Sequence, residues 1–383
     1  MWLSWNKKLQ RYLDYNATCP TLNVALEAMH EASVHASGNP SSMHWAGRAA
    51  RRVLDDARDK IARYLNVESG SLVFTSGGTE ANNMAIFGCL SMAAPGKVVV
   101  SAIEHPSVLQ TVTFWCKRLG HELCLVRPQK SGCMDVEAFC AELDESTVMA
   151  CMMWVNSESG VIQPVEQLVQ ACRERSIPIL VDGIQALGKV SVDVGALGAD
   201  FVSFSAHKIG GAKGVGVLHI RRGAQLETWA LGGGQERGRR SGTENVPAVA
   251  GFAAALGVLN YADTQTVRDG FEKLLLEKMS DVTIHGADVK RVANTSMFTV
   301  PGMDGETLLM QLDLAGFAVA SGSACSSGKR EPSHVLRAMG VNERAARSSL
   351  RVSFGVEHTL EDATALVDEL VRIRGLLKHM AGL

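Results

Sequence analysis

The sequence is short of charge of either sign in excess: 38 Lys and Arg stand against 40 Asp and Glu, a formal net charge of −2 over 383 residues. That balance removes the electrostatic case for nucleic acid or an anionic membrane surface as partner. No apolar run approaches the roughly 20 residues that a membrane span needs. The amino terminus, Met1-Trp2-Leu3-Ser4-Trp5-Asn6-Lys7-Lys8, lacks the charged lead and apolar core of a secretory signal. The nine cysteines are odd in number and never fall in a C-x-x-C pair. This argues against a disulfide framework or a resident metal site and predicts a reducing, cytoplasmic setting. Internal repeats and low-complexity segments are missing, so a solenoid or a disordered array is excluded. No G-x-G-x-x-G occurs, which leaves a dinucleotide site without support.

What is present is an ordinary globular balance, 46% hydrophobic and 20% charged, in a chain long enough for two domains. Strand and helix patterns alternate, which predicts an α/β protein whose mainly parallel sheet is covered by helices on both faces. Helices are expected over 22–36, 44–64, 79–92, 106–119 and 165–174, and strands over 72–75, 97–101, 148–155, 177–181, 201–205 and 215–220. A long apolar helix is expected from Pro247 to about residue 262, and the texture changes after it. Residues 14–259 are therefore assigned to a large domain. Residues 1–13 and 260–383 go to a smaller α+β domain with helices over 267–279, 305–315 and 360–379 and a strand over 293–299.

Several residues stand where chemistry is done. Phe201-Val202-Ser203-Phe204 leads into Ser205-Ala206-His207-Lys208 and then into Gly210 and Gly211. A strand delivering Lys208 to a glycine-rich corner suits an amine that forms a Schiff base with an aldehyde cofactor, pyridoxal phosphate above all. An exposed lysine at a strand end is the alternative, and the rest of the chain has to overturn it. Ser76-Gly77-Gly78-Thr79-Glu80 follows a strand and opens a helix, where backbone N–H groups and the helix dipole receive a phosphate; a plain Ser/Thr cap would explain it too. Asp182 ends an apolar strand, the position from which a carboxylate pairs with a pyridine nitrogen, and Gln185 one turn on can donate to a ring hydroxyl. His105, after Glu104, is placed to lie flat on a planar ring and shuttle protons. Asn156 is a candidate polar contact, and Arg351 projects from an apolar strand and needs a carboxylate, either a structural one or a substrate's. Gly183, Gly188 and Lys189 have P-loop spacing, but Val190 stands where a magnesium-binding hydroxyl belongs and residues 190–194 alternate like a strand, so an NTPase is rejected. Cys325 lies among small residues in Ser321-Gly322-Ser323-Ala324-Cys325-Ser326-Ser327-Gly328-Lys329-Arg330, read as a loop over 321–340 that presents a nucleophilic thiol.

Taken together these segments resemble the PLP-dependent cysteine desulfurases of the NifS/IscS type, in the class-V aminotransferase family. The resemblance covers nearly the whole chain in ordered motifs. They run from Tyr12-Leu13-Asp14-Tyr15-Asn16-Ala17-Thr18 and Gly38-Asn39-Pro40-Ser41-Ser42-Met43-His44 through Thr75-Ser76-Gly77-Gly78-Thr79-Glu80-Ala81-Asn82-Asn83. The later ones are Glu104-His105, Ser205-Ala206-His207-Lys208, Gly232-Gly233-Gly234-Gln235-Glu236, Gly242-Thr243-Glu244-Asn245, and Ser333-His334-Val335-Leu336-Arg337-Ala338-Met339-Gly340. The resemblance implies a fold-type I transferase with a seven-stranded sheet, acting as a homodimer. It implies Lys208 as the cofactor's anchor, with Gly78, Thr79, Ser205 and His207 around the phosphate and Thr243 contributed by the partner subunit. Asp182 would meet the ring nitrogen, Gln185 the ring oxygen, and His105 the ring face. Arg351, Asn156 and Asn16 would hold L-cysteine, and Cys325 would take its sulfur as a persulfide, releasing L-alanine. A resident metal is not expected, Cys325 touching at most a cluster held by a partner. The sulfur acceptor would be an iron–sulfur scaffold or another protein. Selenocysteine lyase and aminotransferase are the alternatives within the fold, and a catalytically silent sulfur- or metal-binding scaffold the alternative outside it. Ser157, Gly183, Cys19 and Ala212 depart from the family pattern without removing a group of assigned role.

Overall fold

The computed structural model describes residues 10–321 and 332–380. Its centre is a seven-stranded sheet ordered Leu72–Thr75, Gly216–Ile220, Phe201–Ser205, Ile179–Asp182, Thr147–Met153, Lys97–Ser101, Glu122–Val126. Gly216–Ile220 pairs antiparallel with both neighbours, and every other pairing is parallel. Parallel strands buried on both faces have to be apolar on both, and Val98, Val99 and Val100 are each fully buried in succession. One face packs on Leu54, Ile61, Phe139, Leu168 and Phe252, the other on Met84, Ile86, Val108 and Val112. The sheet thus matches the expected α/β architecture.

A second sheet, ordered Ala320–Ser321, Ser349–Ser353, Thr295–Thr299, Thr283–Ile284, is antiparallel throughout. It has its own core of Phe271, Phe298, Leu312, Phe354 and Leu366, to which Leu13 contributes from the beginning of the chain. Arg11–Tyr12 pairs in parallel with Phe317–Ala318, and Arg11 Nε lies 2.7 Å from Asp362 Oδ1. The amino-terminal segment therefore stitches the second sheet's surroundings to the entrance of the first.

Four expectations are corrected. The apolar helix from Pro247 is Val246–Ala255, ending because Leu256 is extended and Gly257 takes φ +73°. Residues 190–194 form no strand; Asp193 instead accepts from Ala196 N at 2.8 Å and caps the short helix Val194–Leu197. The strand Glu122–Val126 was missed because it is the sheet's edge, with Glu122 and Leu125 exposed, and carries little apolar alternation. The stretch 321–340 is not one loop: Ser333 Oγ accepts from Leu336 N at 3.1 Å to start the helix His334–Ala338. Val335, Leu336 and Met339 then pack on Ile103, Met153 and Met297.

The loop carrying Thr243 is pinned at one end by a buried ion pair. Glu236, at φ +48° beside Arg237 at φ +59°, accepts from Arg58 Nη1 at 2.8 Å, Arg58 Nη2 at 2.5 Å and Phe74 N at 3.0 Å. Two successive non-glycine residues in the left-handed region persist only where the surroundings enforce them. Arg58→Met strands that carboxylate in the interior and is expected to cost about 3–5 kcal/mol. Denaturant unfolding measures it, and a loss below about 1 kcal/mol would mean the pair does not pin the loop.

Candidate active site

A cleft of about 590 Å³ opens at the carboxyl ends of the central parallel strands, where an open α/β sheet places ligands. It is built from strand ends. Phe201–Ser205 runs into the tight turn Ala206–Ile209, closed by Gly210 at φ +78°, where a Cβ would lie 2.5 Å from Leu22 Cγ. This turn aims Lys208 across the cleft, where its Nζ donates to Asn16 O at 2.6 Å and Ala17 O at 2.8 Å. Burial, then the charge of Arg351, brings its pKa down to about 8, against the opposing pull of Asp14 and Asp182.

Asp182, buried, is held from two sides: Oδ2 accepts from Asn82 Nδ2 at 2.9 Å, and Oδ1 from Ile184 N at 3.0 Å. Asn82 Nδ2 also reaches Ser107 Oγ at 3.0 Å, and Ser107 Oγ lies 2.8 Å from His105 Nδ1. Ser107 N donates to the same Nδ1 at 3.1 Å, with His105 acting as cap of the helix Pro106–Leu119. That contact puts the proton of the neutral ring on Nε2. Desolvation lowers the His105 pKa, with Lys208 and His334 adding to it and Asp182 opposing.

The helix Gly78–Leu90 begins at the cleft with no side chain capping it, because Gly77 precedes it. A Cβ on Gly78 would meet Ile184 Cδ1 at 2.0 Å, so the bare backbone is what fits there. Thr79, Ser205 and His207 line the same corner. His207 Nδ1 lies 3.1 Å from Thr18 Oγ1, and burial, then Lys208, takes its pKa to about 4, keeping the ring neutral.

Arg351 also lines the cleft and has a partner of its own: Nη2 is 2.6 Å from Asp14 Oδ1, Nη1 donates to Ser157 O at 3.0 Å, and buried Nε has none among the described residues. Asn16 is close to saturated, donating from Nδ2 to Thr295 Oγ1 at 2.9 Å. Gln185 lines the cleft and donates from Nε2 to Asn16 O at 2.8 Å. Asn156 does not reach the cleft. Its Oδ1 accepts from Glu158 N, Ser159 N and Ser159 Oγ and its Nδ2 donates to Ile103 O, so it folds the loop that brings Ser157 and Glu158 to the wall. Thr243 is exposed and lies outside the cleft of its own chain. Cys325 lies outside the described residues.

Three cleft groups, and one lysine behind the cleft wall, are given no role by the sequence. Glu104 is fully buried, its Oε1 accepts from Met153 N at 2.6 Å, and Oε2 has no partner among the described residues. Burial and then Asp182 push the pKa of its carboxyl well above the usual range. Burial likewise raises Glu158, which bonds Ser333 Oγ. His334 Nε2 donates to Glu104 O at 2.9 Å, because a carbonyl oxygen can only accept. Lys189 stands behind Gln185. Glu104 and His334 were quoted within motifs, but nothing local to them signals that they meet.

The donor set fits pyridoxal phosphate. An uncapped helix start flanked by hydroxyls and a neutral imidazole suits a phosphate, a buried carboxylate held by two donors suits a pyridine nitrogen, and one amine of lowered pKa suits the aldehyde. In cofactor-free protein, acylation of Lys208 should rise with a midpoint near pH 8. Peptide-resolved mass spectrometry measures this, and a midpoint near the ordinary lysine value of about 10.4 would refute the stated environment.

The chain matches the Aminotransferase class-V family model over residues 11–366. It is 37% identical over 374 residues to the cysteine desulfurase IscS of Dictyoglomus turgidum, covering 96% of this chain and 95% of that one. Among solved structures it is similar to a NifS-like protein, with a TM-score of 0.89 and 30% identity over 96% of this chain and all of the other. It is also similar to SspA in complex with cysteine, with a TM-score of 0.82 and 30% identity over 90% of this chain and 99% of that one.

Proposed function

From the premise that this chain belongs to the aminotransferase class-V family, we propose that it is a cysteine desulfurase dependent on pyridoxal phosphate, converting L-cysteine to L-alanine and passing the sulfur to its own Cys325. The observation that carries this reading is the Lys208 amine, held by two main-chain carbonyls opposite Asp182 in a cleft that also holds an uncapped helix start. The cofactor, when bound, supplies a covalent hold on the substrate amine and an electron sink for charge developing on the substrate.

The chain's own residues do the rest. Gly78, Thr79, Ser205 and His207 would hold the phosphate, and Asp182, oriented by Asn82 and Ile184 N, would keep the ring nitrogen protonated. Gln185 would offer an Nε2 hydrogen to the cofactor's ring oxygen, and His105 would contact its ring. Arg351 shares its charge between Asp14 and the substrate carboxylate, with Asn16 beside it and Asn156 shaping the wall. Lys208, once released, moves the proton at the substrate carbon, and a pKa of about 8 leaves a usable fraction unprotonated near neutrality.

Sulfur transfer follows by attack of the Cys325 thiolate on the substrate sulfur. The S–S bond forms, the C–S bond breaks, and its electron pair stays on the substrate carbon, which is protonated and leaves as L-alanine. With Nε2 of neutral His105 already carrying a proton, the substrate's amine is the better acceptor for the proton of Cys325. The exposure of Thr243 outside its own cleft supports a homodimer in which it completes the partner's phosphate site. A sulfur-acceptor protein, such as an iron–sulfur scaffold, takes the persulfide onward.

Cys325→Ala should keep the cofactor's visible absorbance while sulfide release from L-cysteine falls to background. Retained desulfurase activity would sink the mechanism, and a purified protein unable to take up pyridoxal phosphate would sink the whole reading. Light scattering should report a dimer, and a monomer with full activity would remove Thr243 from the site.

A further inference from the structure

Lys189 stands behind Gln185, outside the cleft lining, and the chemistry above leaves it unused, yet it is not idle. Its Nζ lies 2.6 Å from Asn16 Oδ1 and 2.6 Å from Gln185 Oε1, with the Tyr261 ring 5.7 Å away. All three neighbours are buried. The other groups that face it electrostatically are Lys208, Arg351 and Cys19.

A primary amide can turn over, exchanging its oxygen for its NH2 group, and its partners decide which way it points. An amine, charged or neutral, has at least two hydrogens to give, and two amide oxygens take them here. Lys189 therefore fixes both amides at once. Gln185 is left with its Nε2 hydrogens toward the cleft side, one of them on Asn16 O at 2.8 Å. Asn16 is left with Nδ2 toward Thr295 Oγ1 and Ser157 O, which holds in place the same main-chain carbonyl that receives Lys208. Turning Gln185 over would set its NH2 against the Lys189 amine and its oxygen against the Asn16 carbonyl, two repulsive contacts for two favourable ones.

We infer that Lys189 is a positioning residue: it orients the Gln185 amide so that a donor, and not an acceptor, faces the ring oxygen of the bound cofactor. This rests on the cofactor reading of the cleft. A donor there stabilises the ionised ring oxygen, and losing it makes the neighbouring proton harder to remove. The pH at which the visible absorbance of the loaded protein titrates is therefore the readout.

The test is a cycle of Lys189→Met, Gln185→Ala and the double variant, each loaded with pyridoxal phosphate and titrated by absorbance. Lys189→Met should raise the midpoint by about one pH unit, a tenfold change in the proton equilibrium. In the Gln185→Ala background the same substitution should shift it little, because the amide it orients is gone. An equal shift in both backgrounds would mean that Lys189 acts through its charge, and no shift in either would make it a structural residue; both results overturn the inference. If the Met variant misfolds, Lys189→Gln, which is polar but can face Gln185 with either end, takes its place in the same cycle with a smaller expected shift. An unsubstituted protein that takes up no cofactor would instead defeat the reading beneath it.

Discussion

The Lys208 amine rests on two main-chain carbonyls and, among the described residues, on no carboxylate, and the whole cleft is arranged to make that tolerable. A carboxylate partner would hold the amine charged; neutral oxygens satisfy its hydrogens while burial and Arg351 work against its charge. The carbonyls belong to Asn16 and Ala17, in a segment without regular structure that must be held from elsewhere. Asn16 N donates to Ser353 Oγ, Asn16 Nδ2 to Thr295 Oγ1, and Tyr15 N to Ser353 O. Both anchors lie in the second sheet. The two sheets are thus joined through the same short segment that governs the reactive amine.

Much of this was written in local patterns. Asp182, Ser205 and Lys208 stand at ends of apolar strands, and Gly78 at a strand-to-helix junction, so their convergence followed from parallel-sheet geometry alone. Asn156 was harder: a polar residue after a strand looks available, but its side chain is used up by its own turn, as short amides often are. Arg351 left two partners open, and Asp14, far away in the chain, is the structural one.

The remaining groups were out of reach for a physical reason. Lys189 reads as half of a failed P-loop because its partners, Asn16 and Tyr261, come from distant parts of the chain. Glu104 is an ordinary carboxylate in sequence, whereas in the fold burial, then Asp182, raises its pKa well above the usual range. Edge strand Glu122–Val126 carries only the short run Leu123 to Val126, with Glu122 and Leu125 toward solvent, so it does not announce itself as the fully buried inner strands do.

The short strand Ala320–Ser321 has a consequence for reach. It is registered against Leu350 and Arg351, with Ala320 opposite Arg351, and Ser321 lines the cleft. Cys325 follows Ser321 by four peptide units, and a fully stretched chain advances at most about 3.6 Å per residue. Whatever path it takes, its Cα stays within about 14 Å of Ser321. The tether is tied at the cleft wall, so under the proposed transfer of sulfur to Cys325 an acceptor would have to bring its own group to the cleft's doorstep.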